Sequence, residues 1–393
     1  GISLSTIGVF ITALTVGLFV HYVFHFTLAE GLLLGAIVSA TDAAAVFSIL
    51  RTRGIRLKGK VGGVLELESG SNDPMAYFLT ITLTGIVSSG HFDGWAFIFH
   101  FLKEFIIGAA MGYCMGKLSH WLINRIRLDS DGLYPVLVLG LAMFTYSATH
   151  VIGGNGFLAI YLSALVLGNR DFIHKRSLVK FYDGQAWLMQ IVLFLSLGLL
   201  VFPSQVIPVM GPGLLIAGFL ILVARPLGVF TALSFSSTSI RSKLFISWVG
   251  LRGGVPIVFA TYPLIAGIDK AGLIFNLVFF ISITSVLLQG TTLPLAARWL
   301  KVTEEEETVI VKSPPGGEIR ELVIGKGALV SGKKIVDLNV PVAVHILAIK
   351  RSGQVIQPGG SDKLQEEDQL VVLVKDEEEF ARFTAVLKGN AIS

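Results

Sequence analysis

The chain has 393 residues, 53% of them hydrophobic and only 15% charged, with 43 glycines and a formal net charge of +4. A soluble domain is about 25% charged, so a soluble globule over the whole length is excluded. Residues 1–300 hold 19 Lys/Arg and 12 Asp/Glu, net +7, while residues 301–393 hold 12 and 15, net −3, so an apolar part precedes a polar one. The one cysteine, Cys114, rules out an intrachain disulfide or thiolate metal cluster. The basic excess of the front part sits in short loops between apolar segments, where it reports membrane orientation and argues against a nucleic-acid partner.

A bilayer core of about 30 Å calls for about 20 apolar residues per helix. Ten such stretches run along the chain, near 2–27, 30–50, 62–87, 104–124, 132–151, 155–169, 184–202, 208–234, 245–268 and 272–297. Arg51, Arg53, Arg56, Lys58 and Lys60 follow the second, and Arg125 and Arg127 the fourth. Arg170, Lys175, Arg176 and Lys180 follow the sixth, and Arg241 and Lys243 the eighth, whereas the intervening loops show only Lys103 and Lys270. The positive-inside rule then places both ends of the block, and the polar tail, in the cytoplasm. No cleavable signal peptide opens the chain, which begins at Gly1, and a start inside a longer protein is expected.

The expected division is a membrane domain over 1–301, a linker over 302–317 with Glu304–Glu307 and Pro314-Pro315-Gly316-Gly317, and a cytoplasmic domain over 318–393. In the last, strands are expected near Glu321–Ile324, His345–Lys350 and Val371–Val374, then a helix over Asp376–Leu387, which makes a small α+β module. Its Gly325-Lys326-Gly327 is too short for a phosphate loop and reads as a turn. No residue pattern identifies a ligand for this module, small molecule or nucleotide.

The ionisable residues left at membrane depth are Asp42, Glu66, Glu68, Asp73, Arg225 and Arg252. Each is a functional-site candidate, because an unpaired charge facing lipid costs several kcal/mol. In the third segment, Glu68-Ser69-Gly70-Ser71-Asn72-Asp73-Pro74, helical spacing puts Ser69 and Asp73 on one face and Glu68 and Asn72 on the adjoining one. Hydroxyl and carboxylate oxygens suit a hard alkali cation. A carboxylate that holds either a proton or a cation, never both, is the smallest device for exchanging them. Asp73 could instead be a structural acid satisfied by the serines, and Asp42 a helix cap that never meets an ion. Glu68 with Arg225, at similar depth, reads as an architectural pair, and Glu66 as a funnel residue near a helix end. The second segment, around Ser39-Ala40-Thr41-Asp42, and the ninth, around Gly250-Leu251-Arg252-Gly253-Gly254-Val255-Pro256, read as helices broken at mid-membrane, with Asp42 and Arg252 offsetting the exposed helix ends.

These three stretches, with Ala224-Arg225-Pro226-Leu227-Gly228-Val229, resemble the electroneutral branch of the monovalent cation:proton antiporters. Ala40–Leu50 and Glu68–Thr80 resemble its bacterial potassium/proton, cell-volume-regulating subgroup, and Glu321–Leu387 resembles a regulator-of-potassium-conductance C-terminal subdomain. The resemblance implies an all-α, multi-pass inverted-repeat fold in a bacterial inner membrane, a dimer of thirteen-helix protomers, and a C-terminal cytoplasmic domain. The first three family helices would precede residue 1. It also implies that Asp73 carries the proton and the cation (K+ before Na+), helped by oxygens of Ser69, Thr41 and Asp42. By the same resemblance Glu68 pairs with Arg225, Arg252 lies at the helix crossing, and Asn72, standing where electrogenic relatives have a second acid, makes exchange one-for-one. No cofactor is expected. An ion channel gated by the tail is the competing class, though no backbone-carbonyl filter is visible. An enzyme would need a metal or nucleophile motif that the chain lacks.

Overall fold

A computed structural model describes residues 1–55, 57–303, 318–325, 328, 330–338, 340–351 and 354–388. Arg56, Lys326, Gly327 and the linker residues 304–317 lie outside the described set, so the linker and the proposed turn have no structural counterpart here. The chain forms two compact units, Gly1–Glu304 and Glu305–Ser393.

The first unit is helical: α1 Leu4–Phe24, α2 Leu28–Ile37, α3 Ala43–Thr52, α4 Val61–Ser89, α5 Gly94–Arg125, α6 Leu133–Val151, α7 Gly156–Gly168, α8 Lys175–Leu199, α9 Pro203–Ala232, α10 Ile240–Trp248, α11 Gly254–Ile265 and α12 Ala271–Trp299. Among the described residues α1, α5, α6, α9 and α12 are long and apolar enough to cross a membrane. The second and ninth apolar segments are each broken, α2/α3 across Val38–Asp42 and α10/α11 across Val249–Gly253. Local chemistry sets several helix starts. Thr27 and Glu30 form a reciprocal cap on α2, while Asp42, Asp93, Asn155 and Ser239 cap α3, α5, α7 and α10.

Two expectations change at helix ends. The fourth segment begins at Gly94, where Asp93 Oδ1 accepts from Trp95 N at 2.9 Å and Ala96 N at 3.2 Å, so Lys103 lies inside a helix and not in a loop. The seventh begins at Lys175, so Lys175, Arg176 and Lys180 occupy its opening turns. Apolar counting stops where charge begins, but a helix continues through the interface as long as its backbone groups need partners.

The core of this unit joins α1, α2, α9, α11 and α12 through Val16, Leu33, Leu220, Phe259 and Val278, all at most 1% exposed. Backbone approach tightens two helix pairs. A Cβ at Gly112 of α5 would lie 2.7 Å from the Ala159 carbonyl of α7, and one at Gly31 of α2 would lie 2.5 Å from the Gly17 carbonyl of α1. Small residues at such contacts are the usual means of helix association in lipid.

The second unit holds an antiparallel sheet of order β1-β4-β2-β3, with β1 Glu318–Val323, β2 Val344–Arg351, β3 Gln354–Ile356 and β4 Gln369–Val374, followed by α13 Glu377–Lys388. Leu370, Val372 and Val374 alternate inward along β4 and meet Phe380, Phe383 and Leu387 of α13. β1 starts three residues before the expected strand, because Glu318 already pairs with Val374 across the sheet. β3 was not expected; three residues are too few to show a period.

Candidate functional site

The two broken segments meet where each lacks helical hydrogen bonds. Asp42 N donates to the Leu251 carbonyl at 2.8 Å, joining the unwound stretches directly. Arg252 Nη1 donates to the carbonyls of Ser39 at 2.7 Å and Ala40 at 2.8 Å, just past the C-terminal end of α2. Asp42 sits at the positive end of α3 and accepts from Ala45 N at 3.2 Å. The carboxylate thus faces exposed N–H groups and the guanidinium exposed carbonyls, the arrangement that the helix dipole favours. Gly253 makes room for it, since a Cβ there would collide with the Asp42 side chain.

α4 passes this crossing with the polar stretch Glu68–Pro74. Ser69 Oγ donates to the Thr41 carbonyl at 3.0 Å and accepts from Ala43 N at 3.0 Å, bridging the gap in the second segment. Asn72 Nδ2 donates to Thr41 Oγ1 at 2.5 Å. Asn72 is fully buried and Asp73 half-buried, yet Asn72 Oδ1 and Asp73 Oδ1 accept no hydrogen bond from the described residues. Two buried oxygens without a donor are costly unless something else occupies them.

Glu68 and Arg225 are 1% and 3% exposed, and Arg225 Nη1 lies 2.5 Å from Glu68 Oε1. Arg225 follows a π-helical turn, Leu220–Ala224, in α9, and its Nη2 donates to the Ile246 carbonyl at 3.3 Å. Glu66 is exposed near the start of α4 and takes no part in the cluster. Asp73, Ser69, Thr41, Asn72, Asp42 and Arg252 are therefore brought together around one crossing, with the Glu68–Arg225 pair beside it.

Several supporting residues escaped the sequence reading. Ser285 Oγ accepts from Arg252 N at 2.9 Å and donates to Gln289 Oε1, while Gln289 Nε2 reaches the Trp248 carbonyl at 2.7 Å, so α12 holds the second broken segment from outside. Asn155, 1% exposed, caps α7 through Leu158 N and donates to the Pro74 carbonyl at 3.1 Å. Its backbone N–H reaches the Glu104 carbonyl. Glu104 itself belongs with the ionisable residues inside a helix; the late expected start of that segment hid it. Polar Ser, Gln and Asn in apolar helices carry no periodic signal; the Gly108-x-x-x-Gly112-x-x-x-Gly116 spacing is the signal that could have located the contact of α5 with α7.

Two broken segments crossing beside a buried carboxylate define an integral membrane protein of the broken-helix, ion-handling class. Residues 2–299 match the family described as sodium/hydrogen exchanger, transmembrane, and the chain belongs to that family. Residues 319–385 match the TrkA-C domain. The chain is 40% identical over 380 residues to a K(+)/H(+) antiporter, NhaP, of Alkalimonas amylolytica, covering 95% of this chain and 66% of that protein. A K(+)/H(+) antiporter of Shewanella baltica is 41% identical over 382 residues with the same coverage, so the chain spans about 66% of the length of these relatives. The solved sodium proton antiporter of Methanocaldococcus jannaschii superposes with a TM-score of 0.66 at 27% identity, covering 76% of this chain and 78% of that one.

Proposed function

We propose that this chain is the greater part of a secondary antiporter that exchanges a monovalent cation for protons. Potassium is the favoured cation and sodium the second. The observation that carries the reading is the pair of buried oxygens of Asn72 and Asp73, without a donor among the described residues, at the crossing of two broken helices. Asp73 is the group that alternates between proton and cation. Ser69, Thr41, Asp42 and Asn72 supply further oxygens, Glu68 with Arg225 holds α4 against α9, and Arg252 stabilises the crossing. The names of the relatives support the substrate class, and a single exchanging carboxylate supports one-for-one, electroneutral exchange. The same reading takes 1–301 as the exchanger domain, 302–317 as a linker and 318–393 as a cytoplasmic regulatory domain of a homodimer in a bacterial inner membrane.

The test is proton movement in proteoliposomes driven by gradients of sodium, potassium, lithium or rubidium, with no imposed voltage. An exchanger moves protons under these conditions, whereas a channel responds to voltage. If one carboxylate serves both ions, apparent cation affinity falls about tenfold per pH unit once pH drops below its pKa, by linkage. Asp73→Asn keeps shape and hydrogen bonding but cannot ionise, so exchange is lost with the fold intact; Asp42→Asn leaves a weakened exchanger. An affinity independent of pH, or pH-driven exchange by Asp73→Asn, would place the proton on another residue.

A further inference from the structure

A cavity of ligand size lies where the loop before α4, the start of α10 and the residues after α12 meet, and Asp73 is not among its lining residues. It encloses about 730 Å³ and is lined among the described residues by Lys58 and Lys60 before α4, Arg241 in the first turn of α10, and Lys301 beyond α12. Its apolar wall includes Val61, Val64 and Ile246. No described lining residue is acidic, and none of the four cations forms an ion pair with a described carboxylate. The opening turns of α4 and α10 both border it. Membrane orientation accounts for the number of basic residues here. It does not account for their convergence, from three segments far apart in sequence, on one concave space.

We propose that this cavity binds a phosphorylated anion. Several lysines with an arginine, beside the start of α4, which no side chain caps, match the charge density and the many acceptor oxygens of a phosphate group. A lone carboxylate would use a fraction of them. Small-molecule pockets hold about 300–1,000 Å³, so the space exceeds what inorganic phosphate fills and suits a phosphate with an organic body against the apolar wall. The occupant is a soluble phosphate ester of nucleotide size or the headgroup of an anionic phospholipid. Either would tie the start of α4, which carries Asp73, to the start of α10, which leads to Arg252. Binding there would bear on the ion site without touching it.

The experiment uses the full chain at constant ionic strength, because screening alters all exposed charge. Soluble binding is read by titrating AMP, ATP and inorganic phosphate against the thermal unfolding midpoint in neutral detergent. Lipid binding is read by comparing vesicles of phosphatidylcholine alone with vesicles containing phosphatidylglycerol. The variants are Lys58→Gln/Arg241→Gln, with Lys60→Gln as a milder second, and Arg51→Gln/Arg53→Gln as a control that removes equal charge outside the cavity. All these residues are exposed. A nucleotide-dependent rise in midpoint, with apparent affinity at least tenfold weaker in the cavity variant and retained in the control, supports the site with a soluble ligand. The same pattern with phosphatidylglycerol alone supports it with a lipid. No response above matched chloride, or equal loss in cavity and control variants, overturns the proposal. These readouts need no transport, so they remain interpretable if the exchange reading fails.

Discussion

Asn72 and Asp73 are neighbours in sequence, nearly equal in size, and both end in an oxygen that no described group supplies with a hydrogen bond. The difference between them is that Asp73 can change charge, while Asn72 spends its amide on Thr41. The acid was legible, because a carboxyl in the middle of an apolar segment has few reasons to be there; the bond from Asn72 to Thr41 was not. The contact between Glu68 and Arg225 lies 157 residues apart along the chain; similar depth made it reasonable, but only the fold supplies the geometry. Removing either partner alone strands a buried charge at about 3–5 kcal/mol. Glu68→Gln and Arg225→Gln are therefore expected to lower the thermal midpoint and yield of folded protein, and the exchanged pair, Glu68→Arg with Arg225→Glu, to recover part of both. Single variants as stable as the parent would show that the contact carries little energy.

At the scale of elements, the broken helices were readable because glycine, proline and a charge inside an apolar run are individually unfavourable and together suggest an interruption. What holds the interruptions was not readable. Ser285, Gln289 and Asn155 act by hydrogen bonds to backbone on other elements, and such partners leave no trace in local spacing. Asn155 is the clearest case, since one side chain both starts α7 and bonds the Pro74 carbonyl of α4. Asn155→Ala removes both the cap and the bond between helices, a loss of about 1–3 kcal/mol. Asn155→Asp keeps the cap but loses the donor and buries a carboxylate with no counter-charge. Both variants are expected to lower the thermal midpoint; an Ala variant equal to the parent would remove Asn155 from the architecture.

The molecule as a whole is two units with different physics. In the membrane unit the periodic signal is nearly saturated by apolar residues, so segments are easily found and their ends poorly placed. In the tail the alternation of β4 located the sheet, while β3 was too short to see. The tail also has its own electrostatic anchor: Arg351 Nε and Nη2 each lie 2.8 Å from an oxygen of Asp368, which is fully buried and also accepts from Gln365 N. The Arg351 guanidinium holds the Asp368 carboxyl below its ordinary value of 3.8. A depressed acid stabilises the fold at pH above the unfolded value, and that contribution fades as pH falls through the folded value. Amide protection across 318–388 is thus expected to be flat near neutrality and to drop in the parent only below the ordinary carboxylate range. In Arg351→Gln it is lower already at neutral pH, where hydrogen exchange can be followed directly; a variant indistinguishable from the parent at pH 7 would discount the anchor.

The helix crossing has one further consequence. Its charged side chains are three carboxylates, Asp42, Glu68 and Asp73, and two guanidiniums, Arg225 and Arg252. With all five ionised the sum is −1. One bound proton or one monovalent cation brings it to zero, and both together would bring it to +1. In the proposed cycle the singly loaded centre is the neutral form, and a neutral centre meets the smallest dielectric barrier when it changes the side to which it is open. The empty centre is charged and is held back. In that proposed cycle the charge disfavours unproductive return without cargo, and the membrane potential acts on the empty form while leaving both loaded forms indifferent to it.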